Sequence, residues 1–196
     1  MRGSKGKATI KIVGFGGQGV VLASIILGRA AILDGKYSTQ TASFGSESRG
    51  GECRSEVVIS ANPIDYPLVD KVETLVAMSQ PALAKYIDDL LPGGTLLVDP
   101  DMISRLPSRN DITIVKVSAT QTAEKLGRRV VANAVMLGAL QARTKAVSEK
   151  ALHEAMKEYV PQRTVELNTK AAQEGRRIIE DTRESSEKSD SLTGAV

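Results

Sequence analysis

The sequence predicts an α/β protein, a three-layer α/β/α sandwich whose sheet is mostly parallel. Short apolar runs of strand length alternate with helical segments over the first two thirds of the chain, an order typical of a sheet covered by helices. A glycine-rich turn joins the first strand to the first helix. The chain then ends in a series of helical patterns, which predicts a helical C-terminal part.

The first part of the chain is predicted to alternate strands with helices. Residues 10–13 form an apolar strand, and residues 17–33 are apolar on nearly every side, as in a buried helix. Pro81 is expected in the first turn of a second helix, a position that tolerates proline, and the Pro-Gly-Gly at 92–94 is expected to end that helix. The other predicted strands are residues 37–43, 53–60, 72–78, 94–99 and 112–117.

The remainder is predicted to be helical and to belong to the same domain. Ser118 and Gln121 fit a capping box that opens a helix ending at Gly127. Three further helical patterns cover residues 130–142, 148–159 and 165–183. Residues 184–196 are polar and lack a periodic pattern, so we expect a single domain over residues 1–183 and a disordered tail after it.

Composition excludes several classes of function. The 196 residues carry a net charge of +3 with interspersed signs and only 3% aromatic side chains, which argues against a nucleic-acid surface. A single cysteine excludes an internal disulfide and an iron–sulfur cluster bound by this chain alone. Neither a secretory signal nor an apolar run of about 20 residues is present, so we expect a cytoplasmic protein without membrane contact.

The stretch GFGGQG fits the dinucleotide-binding pattern G-x-G-x-x-G, with Gly14, Gly16 and Gly19 in the glycine positions and Gly17 and Gln18 between them. This pattern predicts a Rossmann-like first βα unit, in which a helix N-terminus receives an anion. Gln18 would either donate to such an anion or cap its own helix. A compact strand-to-helix turn without a ligand stays open as an alternative.

The companion acid of an NAD site is missing from its expected place. That acid should lie about 20 residues after the last glycine, at the end of the second strand. Asp34 and Glu47 fall before and after this point. The sequence therefore gives NAD binding weak support.

A second loop carries Arg49 beside Gly50 and Gly51. A guanidinium next to residues that allow close backbone approach suits a carboxylate, a phosphate or a partner chain. The alternative is a solvated arginine paired with Glu47 or Glu52. Because ligands bind beyond the carboxyl ends of strands in open α/β sheets, the two loops are expected to face one another.

Four other polar or sulfur-containing side chains are expected to be structural. Cys53 lies in an apolar strand and is interpreted as a small buried residue. His153 has no neighbouring metal-ligand partner in the sequence and is interpreted as a surface residue. Asn133 and Met136 are expected to pack against the core or a partner subunit.

Seven segments, taken in order, match one family pattern over nearly the whole chain before the tail. They are GFGGQGVVLA (14–23), FGSESRGGECRSEVVIS (44–60), IDYP (64–67), LVAMSQPAL (75–83), LPGGTLLVD (91–99), SATQTAEKLG (118–127) and NAVMLGAL (133–140). In these segments the chain resembles the gamma subunits of the 2-oxoacid:ferredoxin oxidoreductases, most closely those of the 2-oxoglutarate enzymes. One departure is Ser46, which stands where the family pattern has a proline before the Arg-Gly-Gly.

The resemblance implies an accessory subunit without catalytic residues of its own. It implies a complex that converts a 2-oxoacid and coenzyme A to acyl-CoA, CO2 and reduced ferredoxin. Alpha and beta subunits would carry thiamine diphosphate with Mg2+, a ferredoxin-like subunit would carry iron–sulfur clusters, and external ferredoxin would accept the electrons. The gamma subunit would lie beside the active site and help to hold coenzyme A. The implied site residues are Gly14, Gly16, Gly17, Gln18, Gly19, Arg49, Gly50 and Gly51.

Three alternatives stay open at this point. The same subunit could serve a pyruvate, branched-chain 2-oxoacid or indolepyruvate enzyme. The chain could instead be a free-standing dinucleotide-binding protein, or an interface module with no ligand.

Overall fold

The computed structural model of the protein describes residues 6–45 and 51–193, with side chains described up to residue 184. Strands and α-helices follow in the predicted order. Their bounds are β1 (Lys7–Phe15), α1 (Val20–Leu33), β2 (Tyr37–Phe44), β3 (Glu52–Ser60), β4 (Val72–Ala77), α2 (Gln80–Tyr86), β5 (Leu90–Val98), β6 (Thr113–Lys116), α3 (Ala119–Lys125), α4 (Ala132–Thr144), α5 (Glu149–Tyr159) and α6 (Val165–Thr193).

The six strands form one sheet in the order β2-β3-β1-β4-β5-β6. Strands β1, β4, β5 and β6 are parallel neighbours, which confirms the predicted α/β class. Strand β3 is antiparallel to both β1 and β2. The segment between β2 and β3 is too short for a crossover, so these two strands can pair only in antiparallel orientation.

Two cores cover the two faces of the sheet and confirm the three-layer arrangement. The larger one packs Ile12 and Val57 of the sheet against Leu27 of α1 and Leu140 of α4. The smaller one packs strand residues such as Leu75 against the short helix α2. Most of the helical C-terminal part therefore lies on a single face. Among the described residues, no helix has the length and apolar character that crossing a membrane requires.

Two glycines let α4 and α6 approach each other closely. A Cβ added to Gly138 would lie 1.9 Å from the carbonyl oxygen of Ala172, and one added to Gly175 would lie 1.8 Å from that of Val135. Real Cβ atoms do not come this close to a backbone oxygen. The helices thus touch through their backbones at this crossing.

The structure differs from the sequence-based predictions at three helix ends. The Ser118 side chain makes no capping bond at the start of α3, so the predicted capping box is wrong; carboxylates from the end of β5 cap this helix instead. Helix α2 ends at Tyr86 and a 3-10 turn follows, so the Pro-Gly-Gly at 92–94 lies within β5 and does not end the helix. Helix α6 continues past residue 184 to Thr193.

Candidate functional site

A cleft of about 290 Å3 opens at the carboxyl ends of β1, β4 and β5. This is the edge of a parallel sheet at which ligands of open α/β proteins bind. Its lining residues are Gly17, Gln18, Met78, Asp99, Met102, Thr120, Arg129, Val130 and Ala132. Two residues of the predicted glycine turn therefore line the cleft.

The glycine turn has the backbone geometry that the sequence pattern requires. Gly17 and Gly19 have φ values of 95° and 75°, a region that favours glycine. A Cβ on Gly19 would lie 2.3 Å from the side-chain nitrogen of Asn133, whereas one on Gly17 would meet no atom within 4 Å. Gly19 is thus required for packing against α4, and Gly17 leaves an open surface at the cleft.

The Gln18 side chain makes hydrogen bonds within the chain. Its side-chain oxygen accepts a hydrogen bond from the Phe15 amide at 2.7 Å, and its side-chain nitrogen donates to the Met78 carbonyl at 2.7 Å. A Cβ on Gly14 would lie 2.5 Å from the Gln18 side-chain oxygen, so Gly14 makes room for this bridge. Gln18 does not cap α1, and these two bonds engage its side-chain oxygen and one of its two amide hydrogens.

The two predicted loops meet at one hydrogen bond. The amide of Gly16 donates to the carbonyl of Gly51 at 2.8 Å. This contact places the end of the second loop beside the glycine turn, as the strand-end argument expected. Arg49 and Gly50 lie outside the described residues.

Directly after this loop, Glu52 joins a charged cluster on the α2 face of the sheet. Its carboxylate accepts hydrogen bonds from Lys85, at 2.8 Å, and from the Tyr86 hydroxyl. Partial burial raises the pKa of Glu52, but these bonds and the charges of Lys85 and Arg54 outweigh that effect and hold it below the ordinary value. Glu52 is therefore already paired, and Arg49 does not need to be its partner.

The opposite wall of the cleft holds a buried carboxylate. Asp99 is 1% exposed, and one of its oxygens accepts hydrogen bonds from the Thr120 amide at 2.8 Å and the Thr120 hydroxyl at 2.6 Å. Asp101 accepts from the next amide of α3, that of Gln121. These bonds fix α3 against the end of β5 and leave Arg129 as the cation that lines the cleft in the described part of the chain.

Sequence reasoning missed Asp99, Thr120 and Arg129. Asp99 directly follows a buried strand, which is a usable signal, since a carboxylate at a strand's carboxyl end lies at the ligand-binding edge of the sheet. Thr120 and Arg129 carry no comparable signal, because α3 and the segment before α4 meet the cleft only through tertiary packing.

Asp34 serves a structural role at the C-terminal end of α1, the opposite end of that helix from the glycine turn. Its carboxylate accepts hydrogen bonds from the Ser148 amide at 2.5 Å and the Ser148 hydroxyl at 2.6 Å. This ties the end of α1 to the start of α5. In the structure the partner of Asp34 is therefore Ser148, whereas an NAD site would need this acid to bind a ribose. Glu47 lies outside the described residues.

The remaining candidates occupy structural positions. Cys53 is buried in β3, and burial raises the pKa of its thiol. Met136 lies in the larger core. His153 lies on α5 with its side chain 39% exposed. In the portion of the chain that can be described, no three His, Cys, Asp or Glu side chains lie close enough together to hold a metal ion.

Comparison with known proteins identifies the family. Residues 9–178 match the family described as pyruvate ferredoxin/flavodoxin oxidoreductase. The chain belongs to this family.

Two relatives and one solved structure show how far the similarity extends. The chain is 52% identical to the 2-oxoglutarate synthase subunit KorC of Methanothermobacter marburgensis, over 87% of this chain and 95% of that one. It is 33% identical to the pyruvate synthase subunit PorC of Methanothermobacter thermautotrophicus, over 89% and 97%. The gamma subunit of keto/oxoacid ferredoxin oxidoreductase from Geobacter sulfurreducens PCA is 39% identical, with a TM-score of 0.79 over 89% and 99% of the two chains. Within the pyruvate ferredoxin/flavodoxin oxidoreductase family, the chain therefore has the length and fold of a separate gamma subunit.

Proposed function

We propose that this chain is the gamma subunit of a 2-oxoglutarate:ferredoxin oxidoreductase. The complex would decarboxylate 2-oxoglutarate oxidatively with coenzyme A and give succinyl-CoA, CO2 and reduced ferredoxin in the cytoplasm. The observation that carries the proposal is the 52% identity to a 2-oxoglutarate synthase subunit along nearly the whole of both chains. The lower identity of 33% to a pyruvate synthase subunit makes the pyruvate enzyme the second candidate.

The redox groups of such a complex do not fit this chain. The chain has one cysteine, buried in a strand, whereas a cluster needs about four thiolates. We therefore assign the clusters to a ferredoxin-like subunit, and thiamine diphosphate with Mg2+ to alpha and beta subunits. Electrons would leave the complex through external ferredoxin.

We further propose that the cleft binds an anionic part of coenzyme A. The first amides of α1 have no intrahelical acceptors and carry the positive end of the helix dipole. Gly17 leaves the approach to them open, and Arg129 lies on the opposite wall. The proposed site residues are those predicted from the sequence, Gly14, Gly16, Gly17, Gln18, Gly19, Arg49, Gly50 and Gly51, with Arg129 added. Gly14 and Gln18 would act by shaping the turn.

The substrate assignment is tested on the native complex. We expect co-purification with the other subunits, and turnover with 2-oxoglutarate that exceeds turnover with pyruvate, branched-chain 2-oxoacids and indolepyruvate when ferredoxin or a viologen dye accepts the electrons. The isolated chain should show no turnover. Equal or faster turnover of pyruvate would instead assign the subunit to a pyruvate enzyme.

The site assignment is tested separately. In the complex, Arg49→Ala should weaken either saturation by coenzyme A or subunit assembly by more than about tenfold, and Arg49→Lys should restore only part of the loss, because a point charge cannot replace the planar guanidinium. Binding isotherms of the isolated chain should show coenzyme A bound more tightly than NAD. Tighter binding of NAD would support the dinucleotide-binding alternative.

A further inference from the structure

Strand β2 forms one end of the sheet and has an unprotected backbone edge. Its sequence YSTQTASF contains neither a charge nor a proline. Its register with β3 is unbroken from the pair Tyr37 and Ser60 to the pair Phe44 and Cys53. Natural proteins usually protect such edges with charges, prolines, bulges or a covering element. Charge, proline and bulge are all missing from this edge.

The hydrogen bonds to β3 show which backbone groups point outward. The amide of Gly45 donates to the carbonyl of Glu52 at 2.7 Å, in the register that pairs β2 with β3. Bonding alternates along an antiparallel ladder, so the odd-numbered residues of β2 face β3. The amides and carbonyls of Ser38, Gln40 and Ala42 therefore point away from the sheet.

Exposed apolar side chains lie near both ends of this edge. Phe44 is 69% exposed at the end of β2, and Ile32 and Leu33, just before its start, are 47% and 40% exposed. Gln40 donates to the Ser24 hydroxyl of α1 at 3.1 Å. Because side chains two residues apart share a face, Phe44 lies on the α1 side of the sheet.

We propose that β2 pairs antiparallel with β2 of a second copy of this chain, about a two-fold axis through Gln40. An axis perpendicular to the sheet reverses the strand direction and keeps each face on its own side, so α1 of both copies lies on one face. Ser38 then exchanges hydrogen bonds with Ala42 of the second copy. Phe44 reaches the end of the edge at which Ile32 and Leu33 of the second copy lie.

The same register places Thr39 opposite Thr41 of the second copy, in a pair without backbone hydrogen bonds, in which side chains come closest. The threonine hydroxyls do not carry this contact, because that of Thr39 is buried within its own chain and that of Thr41 donates to Glu56 at 2.8 Å. The edge is self-complementary in its outward backbone groups and its apolar ends, which favours a second copy as the occupant.

The first test measures the mass of the full chain in solution. Sedimentation equilibrium at micromolar concentration should give twice 20.9 kDa. Ala42→Pro removes an outward amide and leaves the ladder to β3 intact, so dimer dissociation should become at least about tenfold more favourable. Val130→Ser, which changes an exposed apolar residue at the cleft, should leave the dimer unchanged.

The second test fixes the register. Cα atoms of pairs without backbone hydrogen bonds lie about 4.5 Å apart, within the range of disulfides. Oxidation of the double variant Thr39→Cys and Thr41→Cys should give a covalent dimer, and Thr39→Cys alone should not. The native Cys53 is buried and should not contribute.

Each outcome decides the proposal. A monomeric wild-type chain, a dimer that Ala42→Pro does not weaken, or no cross-link in the double variant overturns it. A monomeric wild-type chain whose Ala42→Pro variant fails to assemble with the other subunits would assign the edge to a strand of a partner subunit. If Ala42→Pro does not fold by circular dichroism, the cross-linking result decides. None of these outcomes depends on the substrate of the complex.

Discussion

At the residue scale, Gln18 determines the shape of the glycine turn. Its side chain bridges the Phe15 amide and the Met78 carbonyl, and thus ties the start of the turn to the end of β4. Gln18→Leu leaves both backbone groups without this partner in a partly buried place, so we expect a loss of about 1–3 kcal/mol in the free energy of unfolding. Urea unfolding measures it.

Gln80 provides the matched control for Gln18. It also makes two backbone hydrogen bonds, with the amide and carbonyl of Arg105, but in an exposed place. Gln80→Leu should cost less than about 0.5 kcal/mol, because water replaces the lost partner. If the two variants lose similar amounts of the free energy of unfolding, water replaces the hydrogen bonds of Gln18 as well as it replaces those of Gln80.

Glu52 makes stability depend on acid pH. Burial raises its pKa, but hydrogen bonds from Lys85 and Tyr86 outweigh this and lower it from the ordinary value of 4.5. A group with a lowered folded-state pKa stabilises the protein above its unfolded-state pKa, and this contribution is lost as pH falls through the folded-state value. Glu52→Gln should therefore flatten the decline of the free energy of unfolding below about pH 4.5.

The control for Glu52 is Glu166→Gln. The pKa of Glu166 is also lowered, by the hydrogen bond and charge of Lys170, but its side chain is 83% exposed. Solvent screens such a pair, so the acid limb of the stability profile should change little. An equal effect of both substitutions would mean that the Glu52 cluster contributes no more than a surface ion pair.

At the scale of elements, helix α3 depends on a cap from another strand. Asp99 accepts two hydrogen bonds from Thr120, whereas Ser118 makes no side-chain cap. Asp99→Ala should cost about 2–3 kcal/mol, since bonds to a charged, buried acceptor are lost. Ser118→Ala should cost less than about 0.5 kcal/mol. Chemical denaturation measures the free energy of unfolding of both variants. A larger loss for Ser118→Ala would support the capping box predicted from the sequence.

The crossing of α4 and α6 depends on its glycines. Gly138→Ala and Gly175→Ala place a methyl group within 2 Å of a backbone oxygen, so the helices must separate and we expect each variant to lose about 2–4 kcal/mol or more. Gly28 in α1 is the control, because its Cβ would meet only the Ser38 hydroxyl, at 3.3 Å. Gly28→Ala should be close to neutral in thermal unfolding, and equal losses at all three glycines would exclude close packing as the cause.

The elements themselves could be predicted from the sequence, because their hydrophobic periodicity is local. The pairing of β3 with β1 and the cap of α3 could not, since each depends on residues distant in the chain; Asp99 and Thr120 are 21 positions apart. The glycine turn was recognisable because its backbone geometry excludes most other residues. Arg129 was not, because an arginine in a helical region becomes part of a cleft only when the segment before α4 packs beside the residues that follow β5.

At the scale of the whole molecule, the cleft and the free edge belong to different parts of the sheet. The cleft lies at the carboxyl ends of the central strands, and β2 is the outermost strand next to β3. A dimer through β2 would therefore leave the cleft open to the other subunits of the proposed complex. Binding of coenzyme A and association of two gamma subunits should accordingly be separable by mutation.

Arg129 tests this separation in the complete complex. As the cation lining the described cleft, it should contribute to binding the phosphates of coenzyme A, although its 64% exposed side chain and the Glu124 carboxylate 3.9 Å away limit the effect. Arg129→Ala should raise the KM for coenzyme A roughly three- to tenfold, with kcat and the KM for 2-oxoglutarate unchanged and the dimer intact. Arg163→Ala, an exposed arginine just before α6, should change none of these values. If Arg129→Ala leaves the KM for coenzyme A unchanged, Arg129 does not bind its phosphates and the cleft loses its proposed ligand.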